Sequence, residues 1–176
     1  QYNVVADIPG SEKPDEFVIV CGHFDSWNGP GSLGANDNGT GSSVTFESAR
    51  ILAKAKVKPK RTIRFILWSG EEQGLLGSRG YVESHKAEMD KVSAVFNDDG
   101  GTNYQGGYVG LEGMRSVIEA AMAPSQKAFP SLPMEFRAVA EMPRFGSSDH
   151  APFVWAGVPG FFAIESGRAD YGFVWH

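Results

Sequence analysis

The sequence predicts an α/β fold in which helices flank a mostly parallel sheet. Continuous apolar runs such as residues 17–21 are typical of strands buried on both faces. Stretches with helical periodicity, such as residues 44–55, separate those runs. Alternating strands and helices build right-handed crossover units whose strands lie parallel. At 176 residues, the chain is long enough for one domain with a substantial core.

The other elements follow from the same patterns. Predicted strands cover residues 2–8, 17–21, 61–68, 92–96, 132–139 and 160–164, and residues 104–111 are expected to be extended. Predicted helices cover residues 44–55, 73–85 and 114–122, and a short helix ends at Gly157. Loops or connections are expected at residues 9–15, 26–41, 124–133 and 165–171. The apolar face of the first helix is predicted to comprise Val44, Ser48, Ile51, Leu52 and Ala55.

Composition and charge argue against binding to nucleic acid and against a membrane span. The chain is 41% hydrophobic and 21% charged, which is ordinary for a globular domain. Its net charge of -5 comes without a basic stripe, so nucleic acid is not expected as a partner. No apolar run approaches the roughly 20 residues that a membrane span requires. The single cysteine, Cys21, lies among strand residues and predicts a buried structural thiol.

Three of the predicted strands end in side chains that bind metals or carry protons. His23 follows one apolar run, and the acid pairs Glu71-Glu72 and Asp98-Asp99 follow two others. In open α/β sheets, ligands bind in the crevice outside the carboxyl ends of the strands. If the three strands are neighbours, these side chains converge at one edge of the sheet, with one glutamate carrying protons and the other binding metal.

Two aspartates after the first of these strands complete the candidate set. A metal-binding histidine usually donates its second N–H to a carboxylate or a carbonyl, and Asp25 lies two residues after His23 for that role. Asp37 lies on a loop rich in Gly and Asn, just ahead of a predicted helix. It is either an N-cap or Asx-turn residue, or a carboxylate that bridges two metal ions.

The donor types predict which metal such a crevice binds. One histidine and several carboxylates cannot all stay ionised in one crevice without a compensating charge, and one or two divalent cations supply it. Mixed nitrogen and oxygen donors suit Zn²⁺ best, and Mn²⁺ or Co²⁺ are substitutes. The residues therefore predict a zinc site at the carboxyl edge of the sheet.

The ordered motifs of the chain resemble those of the M28 family of di-zinc exopeptidases. They lie at residues 22–26, 35–41, 68–74, 148–153 and 156–159, together with Asp99. Residues 24–27 and 58–62 are most similar to the plasma glutamate carboxypeptidase branch of that family. The resemblance implies a three-layer sandwich with a central mixed, mostly parallel sheet. It also implies one M28-type catalytic domain over residues 1–176, truncated at its C-terminus, because the family's last histidine normally precedes a short Asp-containing motif.

The resemblance also implies a role for each candidate residue. It assigns one zinc ion to His23 and Asp99, a second to Glu72 and His176, and the bridging position to Asp37. Asp98 stays open as the alternative to Asp99, although the spacing to residues 101–102 favours Asp99. Glu71 would be the general base, and Asp25 would support His23. Asp149 and His150 match a position that faces substrate, with helix capping and packing as their alternative role.

The expected function is zinc-dependent hydrolysis of terminal peptide bonds in small peptides or dipeptides by metal-activated water. Aminopeptidase, carboxypeptidase and dipeptidase action all stay open, as does homodimer formation. The family resemblance favours a secreted or periplasmic protein. Two alternatives are single-zinc acyl transfer, as in glutaminyl cyclases of the same fold, and an inactive binding domain of that fold.

Overall fold

The computed structural model describes residues 2–142 and 148–175. The strands are β1 (Val4–Ile8), β2 (Lys13–His23), β3 (Arg61–Trp68), β4 (Val92–Asn97), β5 (Tyr104–Leu111), β6 (Glu135–Val139) and β7 (Gly160–Ser166). The helices are α1 (Gly39–Lys54), α2 (Leu76–Ser84), α3 (Arg115–Ala128), α4 (Ala151–Trp155) and α5 (Tyr171–Val174). Two 3₁₀ helices cover Lys86–Lys91 and Glu112–Met114.

The seven strands in the described ranges form one mixed, mostly parallel sheet. Their order is β1-β3-β2-β4-β7-β5-β6. The β3–β2, β2–β4, β4–β7 and β5–β6 pairs are parallel, whereas β1 and β7 pair antiparallel with β3 and β5. His23 pairs with Trp68, and Cys21 pairs with Asn97, so the carboxyl ends of β3, β2 and β4 lie side by side. The predicted fold class is confirmed.

Helices cover both faces of the sheet, which makes three layers. On one face, α2 and α4 pack over a buried cluster that includes Ile19, Ile66 and Trp68. The indole of Trp68 contacts the ring of Phe153 from α4, with 5.9 Å between centroids. On the other face, α3 covers a second buried cluster and α1 packs along β2 and β3. No helix in the described ranges has both the length and the apolarity needed to cross a membrane.

Helix α1 differs from its prediction in its start and in its buried face. It begins at Gly39, inside the predicted loop, because Oδ1 of Asn38 accepts the N–H of Gly41 and caps the helix. Val44 and Ile51 were predicted to face the core, but they are 46% and 51% exposed. The predicted face was wrong at Val44 and Ile51, whereas Ser48 and Leu52 are half-buried. A close contact between α1 and β2 sets this rotation of the helix.

That contact joins Gly41 in α1 to Gly22 in β2. A β-carbon on Gly22 would lie 3.1 Å from the carbonyl carbon of Gly41 and 2.9 Å from the carbonyl oxygen of Asp98. The backbones can approach this closely because Gly22 has no side chain, and a β-carbon on Gly41 would instead collide with Asp98 and Asn38. Gly41 and Thr45 consequently face the sheet and are the buried residues of α1.

Three other predicted boundaries were wrong. Strand β2 begins at Lys13, inside the predicted loop 9–15, since Lys13 pairs with Arg61 of β3. Strand β7 continues to Ser166 because its last residues pair with β5. Helix α3 continues to Ala128 with Pro124 inside it, and Gln126 in the added part donates to the carbonyl oxygen of Met134 at 2.6 Å.

Candidate metal centre

Three of the predicted site residues form a compact cluster at the carboxyl edge of the sheet. Nε2 of His23 lies 3.0 Å from Oδ1 of Asp37 and 3.1 Å from Oδ1 of Asp99. The three candidate ligand atoms all lie within 4.8 Å of one another. His23 is the last residue of β2, Asp99 follows β4 by two residues, and Asp37 precedes α1 by two residues. Neighbouring parallel strands and one loop thus bring together groups from distant parts of the chain.

Asn38 holds Asp37 in this cluster. Its side-chain oxygen caps α1 through Gly41, and its side-chain nitrogen donates to the carbonyl oxygen of Asp98 at 2.9 Å. Asn38 is 1% exposed, and the peptide bond that joins it to Asp37 is cis. Asn38 therefore caps the start of α1 and also binds the loop that carries Asp37 to the residue after β4.

The structure brings Asp99, and not Asp98, to His23. Asn97 donates to Oγ of Ser148 at 2.7 Å, so the single hydroxyl hydrogen of Ser148 is free for its hydrogen bond with Asp99. The Asp98 carboxyl is not part of the cluster in the described chain. Burial, with the charge of Glu165 beside it, raises the pKa of Asp98 to about 6.

Asp25 connects the cluster to the two glutamates. Nδ1 of His23 lies 3.1 Å from the backbone oxygen of Asp25 and 3.5 Å from its carboxylate. That carboxylate accepts the backbone N–H of Glu71 at 3.1 Å and of Glu72 at 3.2 Å. Asp25 therefore lies against the histidine as predicted, and it also holds the turn that follows β3.

The two glutamates lie in different surroundings. Glu71 is 9% exposed, and its burial, followed by the charge of Asp99, raises its pKa to about 8. Glu72 is half-buried, and its charge acts on the phenol of Tyr171 together with those of Asp37 and Asp99. Glu72 is not in the three-residue cluster of the described ranges. The remaining predicted ligand, His176, lies outside the described residues.

The charges of the cluster fit a divalent cation. Burial alone would lower the pKa of His23, but its contacts with Asp25, Asp37 and Asp99 outweigh burial and raise it. Burial raises the pKa of the Asp99 carboxyl. Several buried acids around one histidine leave an excess of negative charge, which a bound cation would neutralise. One imidazole nitrogen with carboxylate oxygens is a donor set that suits Zn²⁺.

Sequence reasoning missed Tyr171, whose hydroxyl donates to Oδ2 of Asp37 at 3.2 Å. Burial, followed by the charges of Asp37 and Asp99, raises the pKa of this phenol. A tyrosine in a polar segment carries no metal-binding pattern, and 134 residues separate it from its partner. Ser148 was noticed only as part of a motif, and its contact with Asp99 was not predicted.

Asp149 and His150 are both buried, and the charges of His23 and Asp99 act on the Asp149 carboxyl. Asp149 is 0% exposed and accepts a hydrogen bond from Ser78 of α2. Its burial raises its pKa to about 7. The His150 ring lies 5.4 Å from that of Phe162, and its burial lowers its pKa to about 4. These contacts describe packing, and a role of either residue in substrate binding stays a prediction.

Comparison with known sequences identifies relatives over most of the chain. The sequence profile of Peptidase family M28 matches residues 3–176. Carboxypeptidase Q of Rattus norvegicus is 39% identical over 125 residues, which cover 69% of this chain and 26% of that protein. The chain spans 21–36% of the length of the curated relatives it matches.

Solved structures show the same architecture. A peptidase M28 precursor from Shewanella amazonensis SB2B has a TM-score of 0.80 and 30% identity, over 93% of this chain and 36% of its own. BSAP, a zinc aminopeptidase from Bacillus subtilis, has a TM-score of 0.73 and 30% identity, over 96% of this chain and 42% of its own. The sequence match and these structures confirm the predicted family: the chain belongs to peptidase family M28.

Proposed function

We propose that this chain carries the catalytic site of a zinc-dependent exopeptidase that hydrolyses terminal peptide bonds of small peptides or dipeptides. The observation that carries the proposal is the buried cluster of His23, Asp37 and Asp99, with Glu71 at the end of the adjoining strand. A zinc aminopeptidase among the related structures supports the choice of metal. On the family resemblance alone, the proposed enzyme is secreted or periplasmic.

The proposed site holds two zinc ions, which Mn²⁺ or Co²⁺ can replace. His23 and Asp99 would hold one ion, Asp37 would be shared between the two, and Glu72 and His176 would hold the other. The short distances from Nε2 of His23 to both aspartates support the first half of this assignment. The second half rests on the family resemblance and on the position of Glu72 next to Glu71.

Bound zinc, Glu71 and Asp25 would have separate roles in the reaction. Bound zinc would lower the pKa of a coordinated water and polarise the scissile carbonyl. Glu71 takes the proton of the attacking water and returns it to the leaving amine, so that the C–N bond breaks without a covalent intermediate. Asp25 holds the backbone of Glu71 and the ring of His23 in position for this transfer.

The substrate would lie across the carboxyl edge of the sheet. A cavity of about 210 Å³ lies there between the loop before Asp37 and the C-terminal end of α5, lined by Leu33, Asn36 and Trp175 among others. Its apolar walls suit the side chain of a terminal residue. We include Asp149 and His150 in the proposal as residues that help to bind the substrate.

The decisive variant is Glu71→Gln, which keeps the shape of the side chain and removes its ability to take a proton. We expect unchanged zinc content by mass spectrometry and a loss of dipeptide hydrolysis of roughly 10²–10⁴-fold. Glu83→Gln, an exposed change on α2, is the matched control and should retain full turnover. Hydrolysis by Glu71→Gln at the parent rate would disprove the role of the base.

Metal content and reaction products separate the alternatives. Two zinc ions with peptide hydrolysis support the proposal. One zinc ion with cyclisation of N-terminal glutamine would favour glutaminyl cyclase-like acyl transfer. Neither zinc nor turnover would favour an inactive binding domain of the same fold.

A further inference from the structure

Tyr171 is held beside Asp37 by the turn that connects β4 to β5. Asn103 in this turn exchanges two hydrogen bonds with the backbone of Ala169, each 3.0 Å long. Its neighbour Thr102 accepts a hydrogen bond of 3.1 Å from the side chain of Asn36. One turn therefore fixes both the segment that leads into Tyr171 and the loop that leads into Asp37.

Further contacts limit the freedom of Tyr171. The backbone of Asn103 donates to the side chain of Glu165 at 3.0 Å, which ties the same turn to the end of β7. Asp170 caps the first turn of α5 by accepting the N–H of Gly172 at 3.0 Å. These hydrogen bonds therefore hold the backbone that carries the phenol ring of Tyr171.

The two oxygens of Asp37 have different partners. Oδ1 faces Nε2 of His23 at 3.0 Å, and Oδ2 accepts the hydroxyl of Tyr171 at 3.2 Å. Asp37 is 5% exposed, so solvent has little part in setting the plane of its carboxylate. A carboxylate that bridges two ions must present its oxygens in one defined plane, because each ion takes a different oxygen.

We propose that Tyr171 is a positioning residue for Asp37, whose carboxylate it holds in the plane that a bridge between two ions requires. This inference rests on the proposed function, since it takes Asp37 as the bridging ligand. The hydroxyl donates to Oδ2, and a carboxylate oxygen has a second lone pair with which it could bind a metal ion. Tyr171 would therefore act through Asp37 and not as a metal ligand.

The expected effect is on metal affinity. Loss of the hydrogen-bond partner of a metal ligand typically lowers affinity by about 10–100-fold. We expect Tyr171→Phe to weaken binding of zinc by this factor, measured by competition with a chromophoric chelator. The metal-free protein should lose only the free energy of one hydrogen bond, because the phenyl ring keeps its packing.

Tyr104→Phe is the matched control for the hydroxyl. The hydroxyl of Tyr104 donates to the carbonyl oxygen of Pro133 at 3.0 Å, away from the cluster. We expect its zinc affinity to match that of the parent within about twofold. An equal loss in both variants would overturn the proposal, because the effect would then be general to lost hydroxyl groups.

A double-mutant cycle tests whether Tyr171 acts through Asp37. In an Asp37→Ala background, Tyr171→Phe should cause no further loss of zinc affinity. A full additional loss there would overturn the proposal, as would parent affinity in the single Tyr171→Phe variant. Tighter binding by Tyr171→Phe would also overturn it, because the phenol would then compete with zinc for Oδ2.

The parent protein separates this inference from the proposed function. If the parent binds no zinc, the proposed function fails and the positioning role fails with it. If the parent binds two zinc ions and hydrolyses peptides while Tyr171→Phe keeps the same affinity, only the positioning role fails.

Discussion

The carboxylate of Asp25 accepts the backbone N–H of Glu71, with 3.1 Å between Oδ1 and the nitrogen. Its other oxygen accepts the N–H of Glu72. The same residue lies against Nδ1 of His23, so one side chain ties the end of β2 to the turn after β3. Asp25 thereby sets the backbone from which both glutamates extend.

Replacement of Asp25 should loosen this turn. Asp25→Ala leaves two backbone N–H groups without their charged acceptor, and we expect the free energy of unfolding to fall by about 3 kcal/mol. Asp25→Asn keeps one acceptor oxygen and should lose about half as much. Urea denaturation of the metal-free protein measures both. Asp15→Ala, an exposed aspartate in β2, should change stability by less than about 0.5 kcal/mol, and an equal loss there would contradict the interpretation.

Asn38 should matter to stability and to metal binding together. Asn38→Ala removes the cap of α1 and the partner of the Asp98 carbonyl, so we expect a loss of about 2 kcal/mol in the free energy of unfolding. Zinc affinity should fall as well, because Asp37 is the next residue. Asn28→Ala, at an exposed loop position, should leave both quantities unchanged. Parent zinc affinity in Asn38→Ala would show that the loop holds Asp37 without this residue.

Stability should depend on pH through His150. Burial lowers the pKa of His150 from 6.5 to about 4 in the folded chain, so the unfolded chain takes up the proton first as the pH falls. The free energy of unfolding should therefore decrease as the pH falls from about 6.5 to about 4, by at most about 3 kcal/mol. Above pH 6.5 the contribution is fully present. Urea denaturation of the metal-free protein across this range measures the effect.

His150→Gln isolates this contribution because glutamine does not titrate. The raised pKa of Asp149 changes stability in the opposite direction, but it does so in both proteins. The difference between parent and variant should therefore shrink or reverse toward pH 4 in favour of the variant. A difference that stays constant with pH would mean that His150 titrates normally in the folded chain.

The strand ends were predictable from the sequence, whereas contacts between distant segments were not. His23 and Asp99 each lie within three residues of the end of an apolar run, and crossover rules make their strands neighbours. The buried face of α1 was wrong because the approach of Gly41 to Gly22 is a tertiary contact that overrides helical periodicity. Tyr171 escaped prediction for the same reason, since its partner lies 134 residues earlier.

The relative burial of Glu71 and Glu72 after β3 could not be predicted from the local sequence either. The order Glu71-Glu72 predicted two carboxylates at the end of a strand. In the structure both residues follow β3, and the Asp25 carboxylate accepts the backbone N–H of each. Which of them is buried depends on the turn, and a sequence pattern carries no such information. Glu71 is the more buried of the two, in the place where a proton carrier is expected.

The wide spacing of the cluster along the chain has a thermodynamic consequence. The atoms of His23 and Asp99 that face each other belong to residues 76 positions apart, so the unfolded chain offers no preformed site. A cation that binds there binds only the folded state and shifts the folding equilibrium by mass action. The folded fraction would then rise with the concentration of free zinc, and the metal-free chain would be the form that unfolds more readily.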